Sequence, residues 1–212
     1  MVGESLTTKK MEERNSYNIL VDYPEENGFE FETNESMHRF YLLSNDPLIK
    51  SKYVLFKKDN LIFYASDSYS TKAYTSSTFT GVYGIIDLPK HIEYEIFIKD
   101  WFDKIMRFDK IKTGQINTDK YLTIVSKNEW IYNENESDKI ISLFREIDET
   151  IHPIEIKISN GYLDHIKDFK GKKVIGIETN QWIYKKEDIE KMLNLGGELI
   201  NRMINISAKH SI

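Results

Sequence analysis

The chain has 212 residues, no cysteine, 29 Lys and Arg against 34 Asp and Glu, and a formal net charge of -5. That length can bury a real core, in one large unit or two compact ones. The absence of thiols excludes a disulfide scaffold, a cysteine nucleophile and cysteine-ligated zinc, and the acidic balance excludes a surface that is basic everywhere.

The N-terminal stretch "MVGESLTTKKMEERNSYN" has no apolar core of signal-peptide length, and no later run approaches the ~20 apolar residues of a membrane span. A cytoplasmic protein is the expectation. Residues 1–14 are polar and charged and are expected to form a flexible arm. "YNILVDY" predicts a strand, "PEENG" a turn and "FEFET" a second strand. Asn34 then fits as the N-cap of a helix over "ESMHRFYLL", which Pro47 ends.

"KYVLFKK", the pair Asp59 and Asn60, and "LIFYAS" predict a β-hairpin. "TKAYTSSTF" and "GVYGIIDL" continue the sheet, and Asp67 is expected to end a strand rather than to act as a base, since no His or Lys is placed to pair with it. In "HIEYEIFIK" strict alternation puts Ile92, Tyr94, Ile96 and Ile98 on one face, with His91, Glu93, Glu95 and Phe97 on the other. "DWFDKIMRFDKI" has helical spacing, "KTGQINTD" reads as a loop, and "KYLTIVS" and "EWIY" read as strands.

Ser137 is expected to cap a helix whose stripe is Ile140, Ile141, Phe144 and Ile147. "IEIKIS", the turn Asn160-Gly161 and "YLDHIKDF" predict a further hairpin, followed by strands at "KKVIGIETN" and "WIY". A last helix starts at "EDIEKML", where Gly196-Gly197 either ends it or permits close packing within a longer one. "SKNEWIYNENESDKIISLF" and "ETNQWIYKKEDIEKMLNL" match in order, which suggests a duplicated unit. The expected division is a first α+β domain over 15–133 and a second, shorter one over 134–212. The fold class is α+β, a mainly antiparallel sheet with helices on one face.

Chemistry is sparse. His91, Glu93 and Glu95 form a comb that a metal-dependent hydrolase could use, although alternation alone also puts polar residues on a solvated face. Lys167, Lys170, Lys172 and Lys173 make a basic patch that suits a solvated hairpin tip. The Tyr/Ser-rich stretch at 64–80 has the composition of an adaptable contact surface.

Apart from Arg14, each arginine falls in a different expected helix: Arg39, Arg107, Arg145 and Arg202. Lys104, Lys110, Lys139 and Lys191 join them, so helices on one face could gather forked and point-charge donors for phosphate. Against this, the same helices carry Asp103, Glu146, Glu149 and Glu190.

The run "SKYVLFKKDNLIFYASDSYSTKAYTSSTF", then "YEIFIKDWFDKIMRF" and "KYLTIVSKNEWIY", resembles one domain of the DNA sliding clamps, the polymerase processivity factors, over about residues 29–132. The resemblance implies duplicated β-α-β-β-β units with helices lining a ring. It further implies a non-enzymatic accessory role in DNA replication, with the eight Lys and Arg residues above on the DNA backbone, a polymerase-type partner and a ring-forming homo-oligomer. It implies no cofactor. The alternative is a cytoplasmic α+β protein that binds another protein or a small ligand through its Tyr/Ser-rich sheet face.

Overall fold

The computed structural model describes residues 16–38, 49–70, 75–99 and 110–210. The expected arm at 1–14 lies outside them. Residues 16–26 form helix α1, where "YNILVDY" predicts a strand. Its apolar run is short enough to fit either period, and burial decides between them. Leu20 is fully buried and Tyr23 nearly so, and the Tyr23 ring packs against Phe56, itself stacked on Phe29 with centroids 5.7 Å apart. Asn27 closes the helix by donating from both N and Nδ2 to the Tyr23 carbonyl, and Gly28 takes the positive φ of 67° that follows.

Strand β1 (Phe31–His38) takes in Asn34, so the helix expected from that residue does not begin there; residues 39–48 of that expectation lie outside the described part. All eight residues of β1 pair with β2 (Ile49–Lys58), and a complete ladder outweighs a local capping signal. β2 and β3 (Leu61–Ser70) form the expected hairpin, with Asp59 at φ 56° in its turn. Asp67 does not end a strand: β3 runs on to Ser70, and Asp67 accepts a hydrogen bond from Thr78 Oγ1 across the ladder. β4 (Thr75–Ile85) is one strand, and β5 (Tyr94–Ile98) follows the loop around Pro89.

Helix α2 (Ile116–Tyr121) replaces part of the loop expected at "KTGQINTD" and leads directly into β6 (Leu122–Val125). α3 (Glu134–Asp148) is capped by Asn133 rather than Ser137: Asn133 and Glu136 exchange side-chain and backbone hydrogen bonds in a capping box. Ser137 lies buried inside the helix and accepts from Trp130 Nε1. The expected stripe of Ile140, Ile141, Phe144 and Ile147 is buried throughout.

β7 (Ile154–Asn160) and β8 (Lys173–Thr179) pair as a hairpin, and the residues between them form turns and a short 3-10 helix, Lys167–Phe169, not the strand expected at "YLDHIKDF". The two "WIY" segments are loops rather than strands, each joining a strand to a helix. α4 (Lys186–Lys191) passes through a π turn at Met192–Gly196 into α5 (Gly197–His210). Gly197 therefore serves close packing: a Cβ there would fall 2.7 Å from Leu61 Cδ1, whereas one on Gly196 would meet only ordinary contacts at 3.5 Å and beyond.

The eight strands form one antiparallel sheet in the order β1-β2-β3-β4-β8-β7-β5-β6. The β7–β8 hairpin thus enters between β4 and β5, so strands from either side of the expected boundary at residue 133 share one sheet. α1, α3, α4 and α5 cover its inner face around a core that runs from Leu20 to Ile206. Each large aliphatic side chain so buried contributes about 1.5–3 kcal/mol. On the outer face a second cluster joins Leu55, Ile62, Tyr64 and Tyr83 to Leu163, Ile166 and Phe169 of the β7–β8 connection, residues 161–172, which acts as a cap.

Candidate functional site

Five of the eight cations expected on DNA lie among the described residues, on β6's flank, α3, α4 and α5. Arg39, Lys104 and Arg107 lie outside the described residues. Lys110 is exposed beside β6, through a bridge to Val125, and Lys139 is exposed on α3. Arg145 lies over the Tyr121 ring of α2, its guanidinium carbon 4.9 Å from the centroid. Lys191 donates to Thr150 Oγ1 beyond the far end of α3, and Arg202 pairs with Glu198 of its own helix at 3.0 Å. On α3 the carboxylates Glu134, Glu136, Asp138, Glu146 and Asp148 outnumber Lys139 and Arg145.

His91, Glu93 and Glu95 do not converge. β5 begins only at Tyr94, so alternation does not carry His91 and Glu93 onto its face, and His91 is exposed. Glu93 Oε1 accepts from Ser159 Oγ, Asn160 N and Asn160 Nδ2 at 3.0–3.1 Å. Burial pushes its carboxyl up, but these hydrogen bonds outweigh it and hold the group below its ordinary value. Glu95 pairs with Lys157 at 3.4 Å. No three His, Cys, Asp or Glu among the described residues are grouped to hold a metal. The basic patch is divided as well: Lys167, Lys170 and Lys172 are exposed, whereas Lys173 is buried and donates to the carbonyls of Pro89 and Ile92. In the Tyr/Ser-rich stretch Tyr64 is buried beneath the cap and Ser66 within the sheet.

The register brings other residues together on the outer face. Glu155 of β7 stands directly opposite Glu178 of β8, with Phe97 of β5 on its other side. One row away, Glu95 stands opposite Lys157, and Lys157 opposite Gly176. Gly176 and Gly81 clear space for a flat tyrosine: a Cβ on either would come within 2.4 Å of the Tyr83 ring or hydroxyl. Gly81 is itself the cross-strand partner of Glu178, so the Tyr83 hydroxyl points along the sheet toward that carboxyl. Tyr162, the second residue of the cap, donates to Glu178 Oε1 from above. Its ring carries Lys157 Nζ 5.4 Å from the centroid.

This arrangement tunes Glu178. Only 7% of the residue is exposed; burial pushes its carboxyl up to about 7, the Tyr162 hydrogen bond opposes that rise, Glu155 adds to it and Lys157 draws it back. Burial and the neighbouring carboxyl hold Tyr83 and Tyr162 well above the ordinary phenol value, so both keep their protons. Tyr83 Oη is fully buried and has no hydrogen-bond partner of good geometry, although Glu178 and Tyr162 are its polar neighbours. The result is a carboxyl that changes charge near neutrality, one idle buried hydroxyl, and an excess of carboxyls over the single Lys157. Such an arrangement favours positive charge beside Glu155 and Glu178.

Comparison with protein families, with curated proteins and with solved structures finds no match for this chain. No helix among the described residues is long and apolar enough to cross a membrane.

Proposed function

We propose that the protein is a non-enzymatic binding protein that receives a cationic side chain of a partner protein on the outer face of its sheet, between the cap and β5. The observation that carries this reading is the cross-strand pair Glu155 and Glu178. Like charges directly opposite on a sheet destabilise it, by the same few tenths to about 1 kcal/mol that opposite charges contribute. A lysine ammonium or arginine guanidinium placed between them relieves that repulsion and offers a donor to both carboxylates. In the next row Lys157 is paired with Glu95, which leaves Glu155 and Glu178 as the acidic pair that faces a partner's cation.

Calorimetric titration with a short lysine-rich peptide tests the reading. Binding should tighten between pH 6 and pH 8, as Glu178 ionises, and should weaken about tenfold in Glu155→Gln. Equal binding at both pH values, or an indifferent variant, would remove the outer face as the site.

A second reading is the clamp-like DNA accessory protein, supported by the confinement of the helices to one face of the sheet. It requires a symmetric oligomer retained on circular duplex DNA and lost from free ends, in a salt-dependent manner. A monomer indifferent to DNA at low salt would remove it without touching the first reading.

A further inference from the structure

A second polar centre lies on the helical side, away from the outer face. α2 is tied to its surroundings by side-chain hydrogen bonds. The Asp119 carboxylate accepts from Thr113 N, Thr113 Oγ1 and Gly114 N at 2.9–3.2 Å. Lys99 Nζ donates to the Asp119 carbonyl at 2.6 Å, and Asn117 Nδ2 donates to Asp138 Oδ1 of α3 at 3.0 Å. The Asp119 and Asp138 carboxylates are thereby engaged in hydrogen bonds of their own.

Here Lys120 Nζ lies 4.8 Å and the Arg145 guanidinium carbon 4.9 Å from the same Tyr121 ring centroid. Among the described residues neither cation has a carboxylate at ion-pair distance. The Tyr121 ring offsets part of the repulsion between the two cations and its hydroxyl oxygen accepts from both, which leaves further donors free on each. The Lys120 hydrogen bond and then its charge, with a smaller contribution from Arg145, lower the Tyr121 hydroxyl below its ordinary value.

We propose that Lys120, Tyr121 and Arg145 form a binding site for a phosphate group, the two cations taking its oxygens and the Tyr121 hydroxyl donating a third hydrogen bond. A guanidinium fork and an ammonium are the donor pair that suits a tetrahedral oxyanion. Lys99, one residue after β5, adds positive charge at the rear without entering the site. The same chemistry is presented by free phosphate or a small phosphomonoester and by a nucleic-acid backbone.

The test is amide chemical-shift titration of the full chain with inorganic phosphate, with sodium chloride at matched ionic strength as the control and a short single-stranded oligonucleotide as a parallel arm. Saturable shifts at residues 120, 121 and 145 are expected, weakened about tenfold in Arg145→Gln and in Lys120→Gln. Tighter binding of the oligonucleotide than of phosphate assigns the site to nucleic acid, and equal or weaker binding assigns it to a small phosphate. Lys120 is exposed at the end of a short helix, so its variant keeps the fold should Arg145→Gln lose it. Shifts no larger than those with chloride, or undiminished in Lys120→Gln, would overturn the proposal.

Discussion

Glu178 and Tyr83 make opposite demands on stability and on binding. The Glu178 carboxyl stands at about 7 in the folded protein against 4.5 in a free side chain. The folded state therefore holds a proton that the unfolded chain has released, and stability falls as pH rises from about 4.5 to about 7. The loss amounts to about 3 kcal/mol over that window. Urea unfolding at successive pH values should show this slope, and Glu178→Gln should flatten it; an equal slope in the variant would assign it to other groups. Tyr83→Phe removes a buried hydroxyl without a partner, so it should raise stability by about 1 kcal/mol while weakening the cationic peptide. Loss of stability in that variant would mean that the hydroxyl is satisfied within the fold. Neither residue was legible in the sequence. Alternation in "VIGIET" places Val174, Gly176 and Glu178 on one face, but burial of that face comes from residues 161–172, expected as a plain hairpin arm. The glycines at 81 and 176 were the one available signal, since neighbouring glycines mark where a large ring lies on a sheet.

Among the elements, the strongly periodic ones were readable and the short ones were not. The stripe of α3 and the β2–β3 hairpin follow directly from spacing and turn chemistry. α1 did not, because a run of "NILV" satisfies a strand and a helix equally until Leu20 and Tyr23 meet the core. The cap of α3 was displaced from Ser137 to Asn133 because the Trp130 indole claims the serine. The ambiguity at Gly196-Gly197 resolves into contact: the π turn and α5 lie so close to β3 that a methyl group meets Leu61. Gly197→Ala should therefore destabilise the protein by about 1–3 kcal/mol, despite alanine's higher helix propensity. Adding Leu61→Val should recover part of the loss, as read from the midpoint of thermal unfolding. Unchanged stability in the single variant would show that α5 has room to move.

For the whole molecule, strands from both sides of the division expected at residue 133 join one sheet. Several elements on each side follow the local pattern, but the late β7–β8 hairpin inserts between β4 and β5, a placement set by long-range pairing that no local pattern encodes. That insertion also creates the candidate site, since it sets Glu155 and Glu178 opposite one another and brings Tyr162 over Tyr83. Carbon-13 titration of the Glu178 carboxyl, with and without a lysine-rich peptide, is the decisive test of the outer face as a cation site. A midpoint near 7 is expected in the free protein, falling by about one unit when the cation is bound. A midpoint that is unmoved by bound peptide, or that lies at the ordinary carboxyl value in the free protein, would contradict that role.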